Sequence, residues 1–182
     1  LHGLKKQGKT KETHMYQQVK PEQIESNIYF IDSRRLSRFG VSGVYLVIGN
    51  GITLIETGTA LIGKDILGQV RQLGFAKKDI RNVVLTHVHL DHAGGTGWLV
   101  REIPRLKVHV HERGYQHIHD PSALIESAKI LYDSLENIIA IHGQILPVNQ
   151  DNLISVTNNQ LDIGAGVHLE IFETPGHAPH HL

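Results

Sequence analysis

Six residues, His87-Val88-His89-Leu90-Asp91-His92, hold three imidazoles and a carboxylate directly after the apolar run Val83-Val84-Leu85. Neutral imidazole and carboxylate are good ligands for zinc and other borderline first-row cations. Positions 87 and 89 are two apart, so on an extended chain both side chains project to the same side. Ala93-Gly94-Gly95 then lets the backbone fold tightly. Four such groups on one segment can serve two adjacent ions. Two ions roughly 3.5–4 Å apart hold a bridging hydroxide and polarise a carbonyl or phosphoryl oxygen. Metal binding also brings the pKa of water down to about 7, which makes a nucleophile without any catalytic serine or cysteine.

These residues need a rigid frame, and the pattern around them supplies one. Residues 27–32, 43–48 and 52–57 read as short strands. The last two are joined by Gly49-Asn50-Gly51, a hairpin signal because both residue types tolerate positive φ. Ile66, Leu67, Val70 and Leu73 keep helical spacing, with Gly74 as the stop. Residues 82–86 form a continuous apolar strand of the kind buried on both faces, and His87 and His89 leave its end. A short helix is expected over 96–102, ended by Pro104, and an alternating strand over 107–111. Asp120-Pro121 opens a helix whose stripe runs through Leu124, Ala128, Leu131 and Leu135. A final hairpin pairs 159–164 with 167–174, turning at Gly164–Gly166. Strands alternating with helices indicate an α/β layered domain.

Composition narrows the class. A chain of 182 residues suits one domain with a sizeable core. Lys+Arg and Asp+Glu both number 18, so no global field favours nucleic acid or an acidic membrane surface. No apolar run is long enough to span a bilayer. The absence of cysteine excludes thiolate ligands and disulfides and favours a cytoplasmic location. Residues 1–14 are polar and Lys-rich, and Met15 is the only methionine, so 1–14 are expected to be a leader or tail and 15–182 the domain. The alternative for 1–14 is a basic arm, but four lysines without aromatics are a weak nucleic-acid signal.

The segment Thr86-His-Val-His-Leu-Asp-His-Ala-Gly-Gly95 resembles the His-x-His-x-Asp-His signature of the metallo-β-lactamase-fold hydrolases. Glu173 to His181 resembles the family's next motif, Thr-Pro-Gly-His, and residues 52–58 resemble the earlier strand that usually ends in aspartate. The likeness runs from about residue 27 to the last residue. Residues 108–114 and 120–132 look like a subgroup of stand-alone hydrolases with mostly unassigned substrates.

The resemblance implies an αββα sandwich, here its first half plus the start of the second. It implies His87, His89 and His177 as ligands of a first metal, and Asp91 and His92 as ligands of a second. The ions would be zinc, one or two, with iron or manganese also compatible. The implied reaction is hydrolysis of an ester, thioester, lactone, amide or phosphodiester by a metal-bound hydroxide, with Asp91 orienting the attacking water or accepting its proton. The partner would be a small-molecule substrate, and a homo-oligomer is possible. Two second-site ligands of the family, a bridging aspartate and a last histidine, lie downstream of Thr-Pro-Gly-His. This sequence has no aspartate after Asp162 and ends five residues beyond His177, so a fragment of a longer protein is expected. Two rival readings follow. One is a mononuclear iron centre of the sulfur dioxygenase kind, and the other a shortened metal-binding module without activity.

Further residues carry supporting roles. Glu56 stands where the family has aspartate and is expected to hold the ligand loop by hydrogen bonds. Thr86 is expected to bond within that loop and His181 to orient a neighbour. His180 replaces the small residue often found at its position, and the sequence assigns it no task. His109 and His111 share one strand face and read as structural, while His117 and His119 read as solvated helix residues. Trp98 is expected to pack the helix after the loop against the sheet.

Overall fold

In the computed structural model, residues 20–33 and 40–182 are described. The expected leader at 1–14 and the start at Met15 lie outside them.

Seven strands form one sheet in sequence order: β1 (Glu22–Glu25), β2 (Ile28–Asp32), β3 (Gly43–Gly49), β4 (Gly51–Ile55), β5 (Ile80–Val84), β6 (Lys107–His111) and β7 (Leu153–Val156). β1 to β4 form an antiparallel meander, and β4 to β7 run parallel. Parallel neighbours need crossover connections, and helices supply them. α1 (Gly63–Gln72) links β4 to β5, and α2 (Leu90–Ala93) and α3 (Thr96–Glu102) link β5 to β6. α4 (Glu112–His119), α5 (Ser122–Tyr132) and α6 (Leu135–His142) lie between β6 and β7. A separate hairpin, β8 (Asn159–Gly164) and β9 (Val167–Ile171), begins a second sheet, and Asn50 N–H donates to its Ile163 carbonyl at 2.7 Å. This is the layered α/β arrangement expected, with two strands in the second sheet among the described residues.

Register fixes the core. Leu54, Val83, Val108 and Leu153 lie side by side on one face of the sheet. There they are buried with Ile66 and Val70 of α1, Leu99 and Val100 of α3 and Ile118 of α4. Thr53, Asn82 and His109 stand on the opposite face, where Asn82 Oδ1 is 3.1 Å from His109 Nε2. Trp98 is partly buried and packs on α1, where a Cβ added to Gly63 would collide with its ring.

Two expected elements end early. The strand over 52–57 stops at Ile55, because Glu56 takes φ +72° and turns the chain out of the sheet. The helix expected to reach Leu135 stops at Tyr132. Asp133 adopts φ +67°, and Ser134 Oγ accepts the Asn137 N–H at 3.1 Å to cap a new helix, α6. The apolar stripe is also less buried than its spacing suggested, with Leu131 76% exposed. β1 and β7 were not foreseen: β1 is fully exposed and β7 has four residues, too few for a period to register.

Candidate metal centre

The ligand turn leaves the end of β5 and enters α2, so its first histidine inherits the rigidity of a central strand. His87 is 3% exposed. Its ring lies 4.2 Å from that of His92, 4.6 Å from His89, 4.9 Å from His177 and 5.1 Å from His181, centroid to centroid. Residue 177 is thus brought to residues 87 and 89 across roughly ninety residues of chain. His177 Nε2 is 3.0 Å from His89 Nδ1. One ring nitrogen from each of His87, His89 and His177 lies within 4.8 Å of the other two, as does one ligand atom from each of Glu56, His87 and His92.

Hydrogen bonds on the outer side of these rings decide which nitrogen faces inward. His87 Nδ1 is 2.9 Å from Thr86 Oγ1, which leaves Nε2 pointing into the cluster. That Nε2 is buried and has no hydrogen-bond partner. Glu56 works from below: Oε1 accepts the Thr86 N–H at 2.7 Å, and Oε2 is 3.1 Å from His92 Nδ1. A carboxylate oxygen this close to Nδ1 favours the neutral His92 tautomer protonated there, and Nε2 lies 3.6 Å from Asp91 Oδ2. Glu56 is buried, with Oε1 taken up by the turn and Oε2 lacking a hydrogen-bond partner, close to both His87 and His92. Thr57 adds a clamp, its N–H and Oγ1–H both donating to the His92 carbonyl.

The electrostatics are those of imidazoles crowded together. Burial, then the neighbouring His92, His89, His181 and His177, lower the His87 pKa to about 3. Burial, then His177, lower that of His89, against which Asp91 acts in the opposite sense. Burial, then His117, lower that of His180 to about 4. These rings are therefore neutral at pH 7, the state in which imidazole donates a lone pair to a cation.

The sequence profile of the metallo-beta-lactamase superfamily matches residues 37–182. The chain belongs to this superfamily. The metallo-beta-lactamase fold-containing protein ST1585 of Sulfurisphaera tokodaii is 27% identical over 148 residues, 78% of this chain and 52% of that protein. N-acyl homoserine lactonase AttM of Rhizobium radiobacter is 32% identical over 113 residues, 62% of this chain and 38% of that protein. Among solved structures, a B3 metallo-beta-lactamase with an active-site glutamic acid superposes with TM-score 0.66 at 26% identity, covering 90% of this chain and 55% of the other. FEZ-1 of Legionella gormanii superposes equally well, with TM-score 0.66, at 21% identity over 89% of this chain and 55% of that one. The chain thus spans about half the length of the relatives it matches.

Around the superfamily motif lie contacts that residue spacing did not reveal. His111 Nδ1 accepts the Arg113 N–H, so its Nε2–H donates to Glu173 Oε1 at 2.7 Å, while Asn158 holds the other Glu173 oxygen. This strut anchors the segment leading to His177. His181 stacks on His87, and its Nδ1 is 2.8 Å from Thr174 Oγ1. His119, expected in solvent, has Nδ1 at 2.9 Å from the Val148 carbonyl, and His117 is half-buried near His180. The alternation of 107–111 was the one signal that could have pointed to the strut, since it puts His109 and His111 on one face. Among the described residues no helix is long and apolar enough to cross a membrane.

Proposed function

We propose that this chain carries the metal-binding part of a metal-dependent hydrolase acting on a small molecule. The supporting observation is His87 Nε2, a buried ring nitrogen without a hydrogen-bond partner, ringed by His89, His92 and His177. An unpartnered buried polar atom costs about 1–3 kcal/mol, so it persists where another interaction offsets that loss. A cation does so for this donor set: three neutral imidazoles suit zinc, and the carboxylate of Asp91 beside His92 extends the set. His87, His89 and His177 would hold one ion, and Asp91 and His92 the accessible part of a second. When bound, the metal supplies a Lewis acid and a nucleophile at neutral pH.

The chain's own residues do the rest. Thr86 and Glu56 orient His87 and His92 by lying against their outer nitrogens. The Asp91 carboxylate orients the attacking water or takes its proton. The AttM lactonase among the relatives makes a lactone the first substrate to assay, ahead of an ester, thioester, amide or phosphodiester. Metal analysis of the purified protein and of the His87→Ala/His89→Ala double variant tests the reading. Stoichiometric zinc in the wild type and its loss in the variant are expected. Metal retained by the double variant would refute the ligand assignment.

A further inference from the structure

We infer that His180 is a positioning residue for the three-histidine set, accepting the Val88 amide proton and so setting how His87 and His89 leave their turn. The inference rests on the metal-centre reading and adds a residue to it.

Val88 stands between the two histidines and is 1% exposed. A buried amide must find an acceptor. Residues 85–89 fall between β5 and α2, so neither a ladder nor a helix provides one. His180 Nε2 does, at 3.2 Å. The Val88 N–H shares a rigid plane with the His87 carbonyl, so holding that N–H fixes the peptide from which both imidazoles diverge. His180 lies three residues beyond His177, in a loop closed by His181 N–H on the Ala178 carbonyl. One side-chain bond therefore couples the two segments that carry the three ligands. A second tie, Leu182 N–H to the Thr86 carbonyl at 2.8 Å, is backbone to backbone and asks for no particular side chain. The Val88 tie needs an acceptor at position 180.

The packing agrees. Gly114 of α4 faces this contact, and a Cβ there would come within 2.8 Å of Val88 Cγ1 and 3.7 Å of His180 Cδ2. Because Nε2 accepts, the His180 proton sits on Nδ1. The ring is also 6.5 Å from that of His89 and outside the group of mutually close ligand atoms. His180 thus serves the ligands without being one.

Two variants of the whole chain test this. His180→Gln keeps an acceptor, and His180→Leu removes it at similar bulk. Amide exchange of the metal-free protein and cobalt(II) titration, read by chelator competition and visible bands, are the measurements. The Leu variant should lose Val88 protection and bind cobalt about 10–100-fold more weakly with altered bands, as lost outer hydrogen bonds do at metal sites. The Gln variant should stay close to wild type in both readouts. A Leu variant with wild-type affinity, bands and Val88 protection overturns the inference alone, as does a Gln variant as impaired as Leu. If Leu does not fold, the Gln comparison decides by itself. Wild-type protein that takes up no cobalt overturns the metal-centre reading and this inference with it.

Discussion

Replacing Glu56 by glutamine changes one atom and should reverse a tautomer. Glu56 Oε1 accepts the Thr86 N–H at 2.7 Å, so the amide oxygen of the variant stays there. Its NH2 then takes the place of Oε2, facing His92 Nδ1 across 3.1 Å. Two donors cannot share that contact. His92 must then bare Nδ1 and carry its proton on Nε2, the nitrogen it would offer a metal. Keeping the original tautomer would set two N–H groups against each other and forgo a neutral hydrogen bond, about 0.5–1.5 kcal/mol, which biases the population roughly 2–10-fold. Long-range proton–nitrogen spectra of the metal-free protein at alkaline pH read the two nitrogens directly. Wild type should show the proton on Nδ1 and Glu56→Gln on Nε2. An ion at His92 should bind the variant more weakly, while the His87, His89 and His177 set is left intact. An unchanged His92 tautomer in the variant would refute the reasoning, because it would mean that Glu56 does not set this ring.

Two further outcomes concern the frame. His109 is 4% exposed, and burial, then Lys107, lower its pKa from 6.5 to about 4. The unfolded chain therefore takes up this proton first. The stability that His109 contributes is complete above pH 6.5 and is lost as pH falls towards 4, by about 3 kcal/mol. Denaturant titrations of wild type and His109→Gln across that window should converge by this amount, and parallel pH profiles would contradict it. Gly97 of α3 is buried against the Leu146 carbonyl, and an added Cβ would collide with it. Gly97→Ala should cost about 1–3 kcal/mol by urea unfolding, since the obstacle is backbone and cannot rotate away, and an unchanged midpoint would count against this packing.

The histidine-rich turn was legible because its signal is local. His87, His89, Asp91 and His92 lie within six residues, and the strand that aims them is apolar throughout. The Gly49-Asn50-Gly51 hairpin and the Gly74 stop were legible for the same reason, each being a backbone requirement written in one or two residues. What failed was whatever depends on a distant partner. Glu56 continues a strand pattern, yet it leaves the sheet because its carboxylate is drawn to Thr86 and His92, thirty residues and more along the chain. The break at Asp133 interrupts a stripe that spacing alone would continue, and the stripe misleads because Ile130 and Leu131 face outward.

Histidine makes the same point in one residue type. Residues 109, 111, 119 and 180 have imidazoles as ordinary in sequence as those of the turn. Each commits a ring nitrogen to a protein partner: Asn82, Glu173, the Val148 carbonyl and the Val88 amide. His87 bonds Thr86 with one nitrogen and leaves the other buried and unpartnered among four rings. Burial alone therefore does not separate struts from ligands, since His109, His111 and His87 are all nearly inaccessible. Among these residues the separating quantity is whether the inward nitrogen has been satisfied. A strut completes its hydrogen bonds within the protein, and a ligand keeps one lone pair open, held in place by the bond on its other side. By that measure Thr86 and Glu56 matter to the centre as much as the histidines beside them, because each lies against the nitrogen that faces away from the cluster.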